Sequence, residues 1–76
     1  MMTNPPEREV ISIGNAVANF IEQNDLPKSL RVNLIKRIHQ NIATGRIEAP
    51  AGKFEGISNR PIYLDSVTAF LYEVKK

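Results

Sequence analysis

The chain has 76 residues, no cysteine and a formal net charge of +2 at pH 7. This length predicts one domain. The lack of cysteine excludes disulfides and thiolate metal sites, and the single histidine, His39, cannot form a metal site alone. We therefore expect no metal and no cofactor. A domain this small gains stability most readily from self-association or from a larger partner.

The N-terminal ten residues do not resemble an export signal, because they are polar and contain Asn4, Pro5 and Pro6. No apolar run approaches the roughly 20 residues needed to span a bilayer. These features predict a cytoplasmic protein with no membrane partner. The two prolines lack amide hydrogens and disfavour helix. They predict a flexible N-terminal arm over residues 1–9, followed by a single domain over residues 10–76.

The charge is unevenly distributed along the chain. Residues 28–60 contain seven lysine and arginine side chains against Glu48 and Glu55, a net charge of +5, so the flanking segments together carry −3. A basic centre between acidic ends is typical of a protein with a polyanionic partner. An ordinary solvated surface rich in lysine and arginine explains the charge equally well.

Three helices are predicted from the spacing of apolar residues. The first runs over residues 13–23, with Ser12 as its N-cap. The second begins at Pro27, which suits a first helical position, or at Leu30 after the competing cap Ser29, and it ends at Thr44 before Gly45. The third begins after the cap Asp65. Their apolar faces contain Ile13, Ala16, Val17, Phe20 and Ile21, then Leu30, Leu34, Ile35, Ile38 and Ile42, and finally Val67, Phe70, Leu71 and Val74.

Residues 46–64 change in character, because glycine and proline separate short apolar runs. Residues 53–57 and 60–64 flank Ser58 and Asn59, which predicts a small β-hairpin with its tip at these two residues. Pro61 restricts the second strand to a sheet edge. The predicted fold is therefore α+β and mostly α, with three helices and a small β-hairpin wing, as in a winged helix-turn-helix.

This order of elements predicts a DNA-binding surface. In a helix-turn-helix the second helix docks in the major groove, and the hairpin lies beside it as a wing. Arginine, asparagine and glutamine suit base edges, and lysine suits phosphate. The candidate residues are Asn33, Lys36, Arg37, Gln40 and Thr44 on the outer face of the second helix, with Lys53 and Arg60 on the hairpin. The alternative is that any amphipathic surface helix carries such residues.

Residues 45–53 and 60–71 resemble the small excisionase-like and MerR-like winged helices. The shared features are a helix that ends in glycine (Gly45), a proline before the wing (Pro50), an aromatic strand (Tyr63) and a V-x-A-[FW]-L pattern in the last helix (residues 67–71). Residues 10–20 look like the first helix of that family. The resemblance implies a DNA-binding protein of phages or mobile elements. Such proteins bind in several copies, bend DNA, and regulate transcription or direct recombination.

The second hypothesis is a small phage-type protein that binds and inhibits a host protein through one face. Phe54, Tyr63 and Tyr72 are candidate anchors, because aromatic residues are enriched at binding hot spots. Core packing is the favoured interpretation for Phe54 and Tyr63, whereas Tyr72 falls off the apolar stripe and should be exposed. We do not expect an enzyme. His39 lies beside the apolar stripe of the second helix, and it fits a residue at the border of that stripe or a phosphate contact better than a general base. The glycines form no phosphate-binding fingerprint.

Overall fold

The computed structural model describes residues 8–75. The elements in chain order are β1 (Val10–Ser12), α1 (Ile13–Gln23), α2 (Leu30–Ala43), a 3-10 helix (Ile57–Asn59), β2 (Pro61–Tyr63) and α3 (Leu64–Lys75). The chain is thus α+β and mostly helical, as the sequence predicts. None of the helices in this part of the chain has the length and apolar character needed to cross a membrane.

Helix α1 has the bounds and the cap that the sequence predicts. The Ser12 hydroxyl accepts a hydrogen bond from the Asn15 amide at 3.3 Å, which satisfies one of the free amides of the first turn. At the other end, the Asn24 side chain donates to the Phe20 carbonyl at 2.9 Å. Both ends are therefore closed by polar side chains next to the apolar face.

Helix α2 begins at Leu30, the later of the two predicted starts. Pro27 and Lys28 form a preceding turn, and the Ser29 side chain makes no capping hydrogen bond. The helix ends at Ala43, one residue before the predicted Thr44, and Gly45 lies just beyond it as expected: it has φ +80°, and its amide donates to the Ile42 carbonyl. This left-handed residue stops the helix and satisfies carbonyls of its last turn.

The second predicted strand, within residues 60–64, is confirmed as β2, but the first is wrong, because residues 53–57 do not form a strand. Instead β2 pairs antiparallel with β1, and Ile11 lies opposite Ile62. Around the predicted tip, local hydrogen bonds replace the strand ladder. The Asn59 side chain donates to the Glu55 carbonyl at 2.7 Å, and the Asn59 backbone amide donates to the Gly56 carbonyl. Asparagine side chains that bond nearby carbonyls compete with strand pairing in this way.

Helix α3 begins at Leu64, before the predicted cap. The Leu64 amide donates to the Glu9 carbonyl at 2.9 Å, so the chain that leads into β1 satisfies the first turn of α3. Asp65 therefore lies inside that first turn and is not the residue before the helix. A carboxylate there still interacts favourably with the positive end of the helix dipole.

One apolar core joins all three helices and β2. As predicted, Phe20, Ile21, Leu34 and Ile38 share it with Leu71, and Phe70 packs against it while partly exposed. Two buried residues outside the helices complete it, Ile47 after α2 and Ile62 in β2. The buried members are Ile13, Ala16, Val17, Phe20, Ile21, Leu34, Ile35, Ile38, Ile47, Ile62, Val67 and Leu71.

The predicted N-terminal arm falls mostly on residues 1–7, which lie outside the described residues. Arg8 and Glu9 do not belong to a free arm. Arg8 donates to Glu48 Oε2 and to Asp65 Oδ1, each at 2.8 Å, and its guanidinium carbon lies 3.9 Å from the centre of the Tyr63 ring. Arg8 thereby ties the start of β1 to the segment after α2 and to α3.

Candidate nucleic-acid interface

The outer face of α2 carries the first five candidate residues. Burial of Leu34, Ile35 and Ile38 fixes how the helix is rotated about its axis. Positions three and four apart on a helix lie on one surface, so the polar residues of the opposite side form a continuous exposed strip. We call it the polar face of α2. It consists of Asn33, Lys36, Arg37, Gln40 and Thr44, all exposed as predicted.

Helix α2 is cationic along its length. It contains Arg31, Lys36 and Arg37 but no carboxylate, whereas α1 and α3 each contain at least one glutamate. The ion pairs within residues 8–75 join Arg8 to Glu48 and Asp65. The three cations of α2 are therefore not neutralised by acidic side chains of the described chain.

Arg60 joins this surface through a contact with α2. Its guanidinium Nη1 lies 3.1 Å from His39 Nδ1, and its guanidinium carbon lies 5.0 Å from the centre of the Phe54 ring. A guanidinium only donates, so Nδ1 accepts and the imidazole hydrogen is on Nε2. His39 is half-buried and lies one turn after Lys36, at the border of the polar face, as expected from the sequence.

Lys53 lies in residues 50–56, which we call the glycine loop because Gly52 and Gly56 both have positive φ. Lys53 is exposed, and its ammonium group forms no ion pair with another residue of 8–75. The loop nevertheless approaches α2 near this point, since the next residue, Phe54, contacts His39 with ring centres 6.3 Å apart. Arg60 thus lies beside the ring of Phe54, and Lys53 precedes Phe54 in the chain.

Phe54 was expected in the core, and that expectation is wrong. Its side chain is 38% exposed. The ring meets the edge of His39 at an interplanar angle of 74° and lies beside Arg60. The expectation depended on a strand at residues 53–57 that would turn alternate side chains inward. Without that strand, Phe54 remains on the surface between two glycines.

The other two aromatic candidates lie in different surroundings. Tyr63 is half-buried beneath the Arg8 guanidinium. Tyr72 is exposed, as predicted, and packs edge-on against Phe20 with ring centres 5.4 Å apart. Each of the three candidate anchors therefore has its own set of neighbours, and the three rings do not build one aromatic patch.

Arg8 is a residue that sequence reasoning missed. Its hydrogen bond lowers the pKa of the Asp65 carboxyl, and the hydrogen bonds that Arg8 donates to Asp65 and Glu48 raise the pKa of Arg8. The pairing also engages Glu48, one of the two acids within the basic segment 28–60. No periodic pattern includes Arg8, and its acidic partners lie 40 and 57 residues away, so the sequence carries no local signal for it.

Within residues 8–75, histidine, aspartate and glutamate side chains do not gather in groups of three that could hold a metal ion. The comparisons with protein families, with curated proteins and with solved structures found no match to this chain.

Proposed function

We propose that this protein binds double-stranded DNA, with α2 in the major groove as the recognition helix and the glycine loop beside it in the position of a wing. The observation that carries the proposal is the composition of α2: three cations that form no ion pair with other residues of 8–75, no carboxylate, and an exposed strip of amide and guanidinium side chains. DNA attracts such a surface through its phosphates, and sequence is read by groups that reach the base edges.

The roles divide by residue type. Arg37 suits the two acceptors of guanine, and Asn33 and Gln40 suit the donor and acceptor of adenine. Lys36 suits phosphate, as does Thr44 through its hydroxyl. The Thr44 hydroxyl donates to the Asn41 carbonyl at 3.2 Å, so it has to turn its hydrogen away from that carbonyl to donate to a phosphate oxygen.

The relation of α1 to α2 supports a helix-turn-helix arrangement. The two helices pack through Phe20, Ile21 and Leu34, and residues 24–29 connect them. Asp25 has φ +53°, and the Leu26 amide donates to the Ile21 carbonyl at 3.0 Å, so the turn after α1 is tightly closed. The wing of this arrangement is an unpaired loop and not a β-hairpin.

The biological role that fits such a protein is regulation of transcription, or direction of recombination, in a phage or mobile element. It follows from the resemblance of residues 45–53 and 60–71 to excisionase-like and MerR-like proteins. A gel shift with the DNA upstream of its own gene is the direct test of this role.

The surface itself is tested by charge reversal. The variant with Lys36→Glu and Arg37→Glu should lose DNA binding in fluorescence anisotropy at low salt, because both charges lie on the polar face. The matched control carries Lys28→Glu and Lys75→Glu, two exposed lysines away from that face, and undergoes the same change in net charge. It should retain most of its affinity.

Single substitutions then separate the two roles. Lys36→Ala should weaken binding to all duplexes alike and reduce the salt slope by about one unit. Arg37→Ala should weaken the free energy of DNA binding by about 1–3 kcal/mol and relax specificity at one base pair. Equal binding by both double variants would exclude the polar face as the DNA surface. A native protein that binds no duplex at low salt would refute the DNA function and favour a protein target.

A further inference from the structure

Phe54 is exposed to solvent and yet held in place. Arg60 lies beside its ring, with the guanidinium carbon 5.0 Å from the ring centre, and the His39 ring packs against it edge to face. Arg60 and His39 are themselves joined at 3.1 Å. A solvated phenylalanine in a loop would ordinarily sample several rotamers, so these three linked side chains orient the ring before any partner arrives.

The backbone around Phe54 explains why the ring does not fold inward. Gly52 has φ +156° and Gly56 has φ +78°, and neither has an atom within 4 Å of the position of an added Cβ. The glycine loop therefore projects into open space at both glycines. Arg60, at the other end of the segment, is anchored because its carbonyl accepts from the Ile13 amide at 3.0 Å.

The position of the ring relative to the polar face of α2 is set by His39. Because His39 lies one helical turn after Lys36, Phe54 stands at the border of the surface proposed to enter the major groove. Arg60, beside the ring, is cationic, and so is Lys53, which precedes Phe54 in the chain. An apolar ring next to these residues and to a cationic helix fits a polyanion that also offers flat apolar surfaces, and stacked base pairs are such a partner.

We propose that Phe54 is a wedge that enters the minor groove beside the α2 site, inserts between two base pairs and kinks the duplex. This inference rests on the proposed DNA function. Proteins that bend DNA through the minor groove insert apolar side chains and partly unstack one step, and the bend increases the contact with protein. Lys53 would contact phosphate beside the kink. Arg60 would do so with guanidinium hydrogens not used by His39, since the group has five.

The experiment uses the full chain and a duplex with a fluorescent dye at each end. The duplex contains one TA step within stiff A-tract sequence, so that a kink is localised at the flexible step. A 2-aminopurine base at that step reports unstacking, and energy transfer between the dyes reports bending. Anisotropy measures binding separately, so that loss of binding and loss of bending are distinguished.

The native protein should bind, raise the 2-aminopurine fluorescence and shorten the distance between the ends. Phe54→Ala should still bind at high protein concentration but leave the duplex straight and stacked. Its affinity should fall about tenfold or more, as when a ring that stacks on a base is removed. Phe54→Leu, which retains an apolar wedge, should restore most of the bend. Tyr72→Ala removes another exposed ring and should behave as the native protein.

Three outcomes would overturn the wedge. A native protein that binds without bending or unstacking the duplex shows that no wedge operates. If Phe54→Ala bends the duplex as much as the native protein does, other residues cause the bend. If Tyr72→Ala loses as much bending as Phe54→Ala, the loss comes from a general defect of the protein and not from removal of the wedge. If the native protein fails to bind duplex in the anisotropy measurement, the proposed DNA function fails, and the wedge fails with it.

Discussion

At the scale of single residues, Asp65 shows how one exposed ion pair makes stability depend on pH. Arg8 lowers the pKa of this carboxyl in the folded protein. A group with a depressed pKa stabilises the fold at pH values above its unfolded pKa, about 3.9, and the contribution is lost as the pH falls through its folded pKa. The pair is solvent-exposed, so salt should weaken the effect.

We therefore expect Asp65→Asn to melt at a lower temperature than the native protein at pH 7. The difference should shrink as the pH is lowered below about 4, because the unfolded carboxyl takes up a proton there, and it should vanish once the native carboxyl, whose pKa is lower, is protonated too. Thermal unfolding followed by circular dichroism between pH 2 and pH 7 measures this. In an Arg8→Gln background, Asp65→Asn should have a smaller effect. A constant difference across the whole pH range would argue against the pairing.

At the scale of elements, α1 is in close contact with the 3-10 helix that follows the glycine loop. Gly14 lies in the first turn of α1, and a Cβ there would lie 3.0 Å from both the Cβ and the carbonyl oxygen of Ser58. The neighbouring bond from the Ile13 amide to the Arg60 carbonyl, at 3.0 Å, holds the same segment. Glycine at position 14 thus lets the two backbones meet.

Gly14→Ala should destabilise the protein, although alanine favours helix by about 1 kcal/mol. The added methyl group has to displace Ser58, and such overpacking costs about 1–3 kcal/mol. Urea unfolding measures the balance, with Asn19→Ala on the exposed side of α1 as the control. If Gly14→Ala were more stable than the native protein, the contact would not be tight.

The individual elements differ in how well they could be predicted from the sequence. Helix α1 was predicted with its bounds and cap, because the apolar spacing and Ser12 are local signals. Strand β2 was predicted within residues 60–64, but its partner β1 was not, since the two strands are short and distant in the chain and strand pairing depends on contacts that no local pattern records. Exposure of the polar face followed from helical periodicity. The contact between His39 and Arg60, 21 residues apart, did not.

At the scale of the whole molecule, one core supports both the fold and the proposed interface. Leu34 is 6% exposed and joins α2 to α1 and α3 through that core. Leu34→Ala should lower the free energy of unfolding by about 2–5 kcal/mol, which is a large share of the stability of so small a domain. Thermal melting measures this, with exposed Lys36→Ala as a control that should melt almost normally. A cooperative Leu34→Ala protein with near-native melting would contradict the core assignment.

Whole-molecule size also bears on how DNA is bound. A single α2 has only 14 residues, so one copy contacts few base pairs, and useful affinity and specificity require two or more copies. We expect a dimer, or cooperative assembly on DNA. Two copies that read the same side of a duplex would occupy half-sites about 34 Å apart, one helical turn. Inserting half a turn between the half-sites should then abolish cooperativity, because the second copy would face the opposite side.

Light scattering measures the mass of the free protein, and titration of duplexes with one or two half-sites measures cooperativity. A monomer that binds one site without cooperativity, at an affinity unaffected by a second half-site, would show that a single copy is the functional unit.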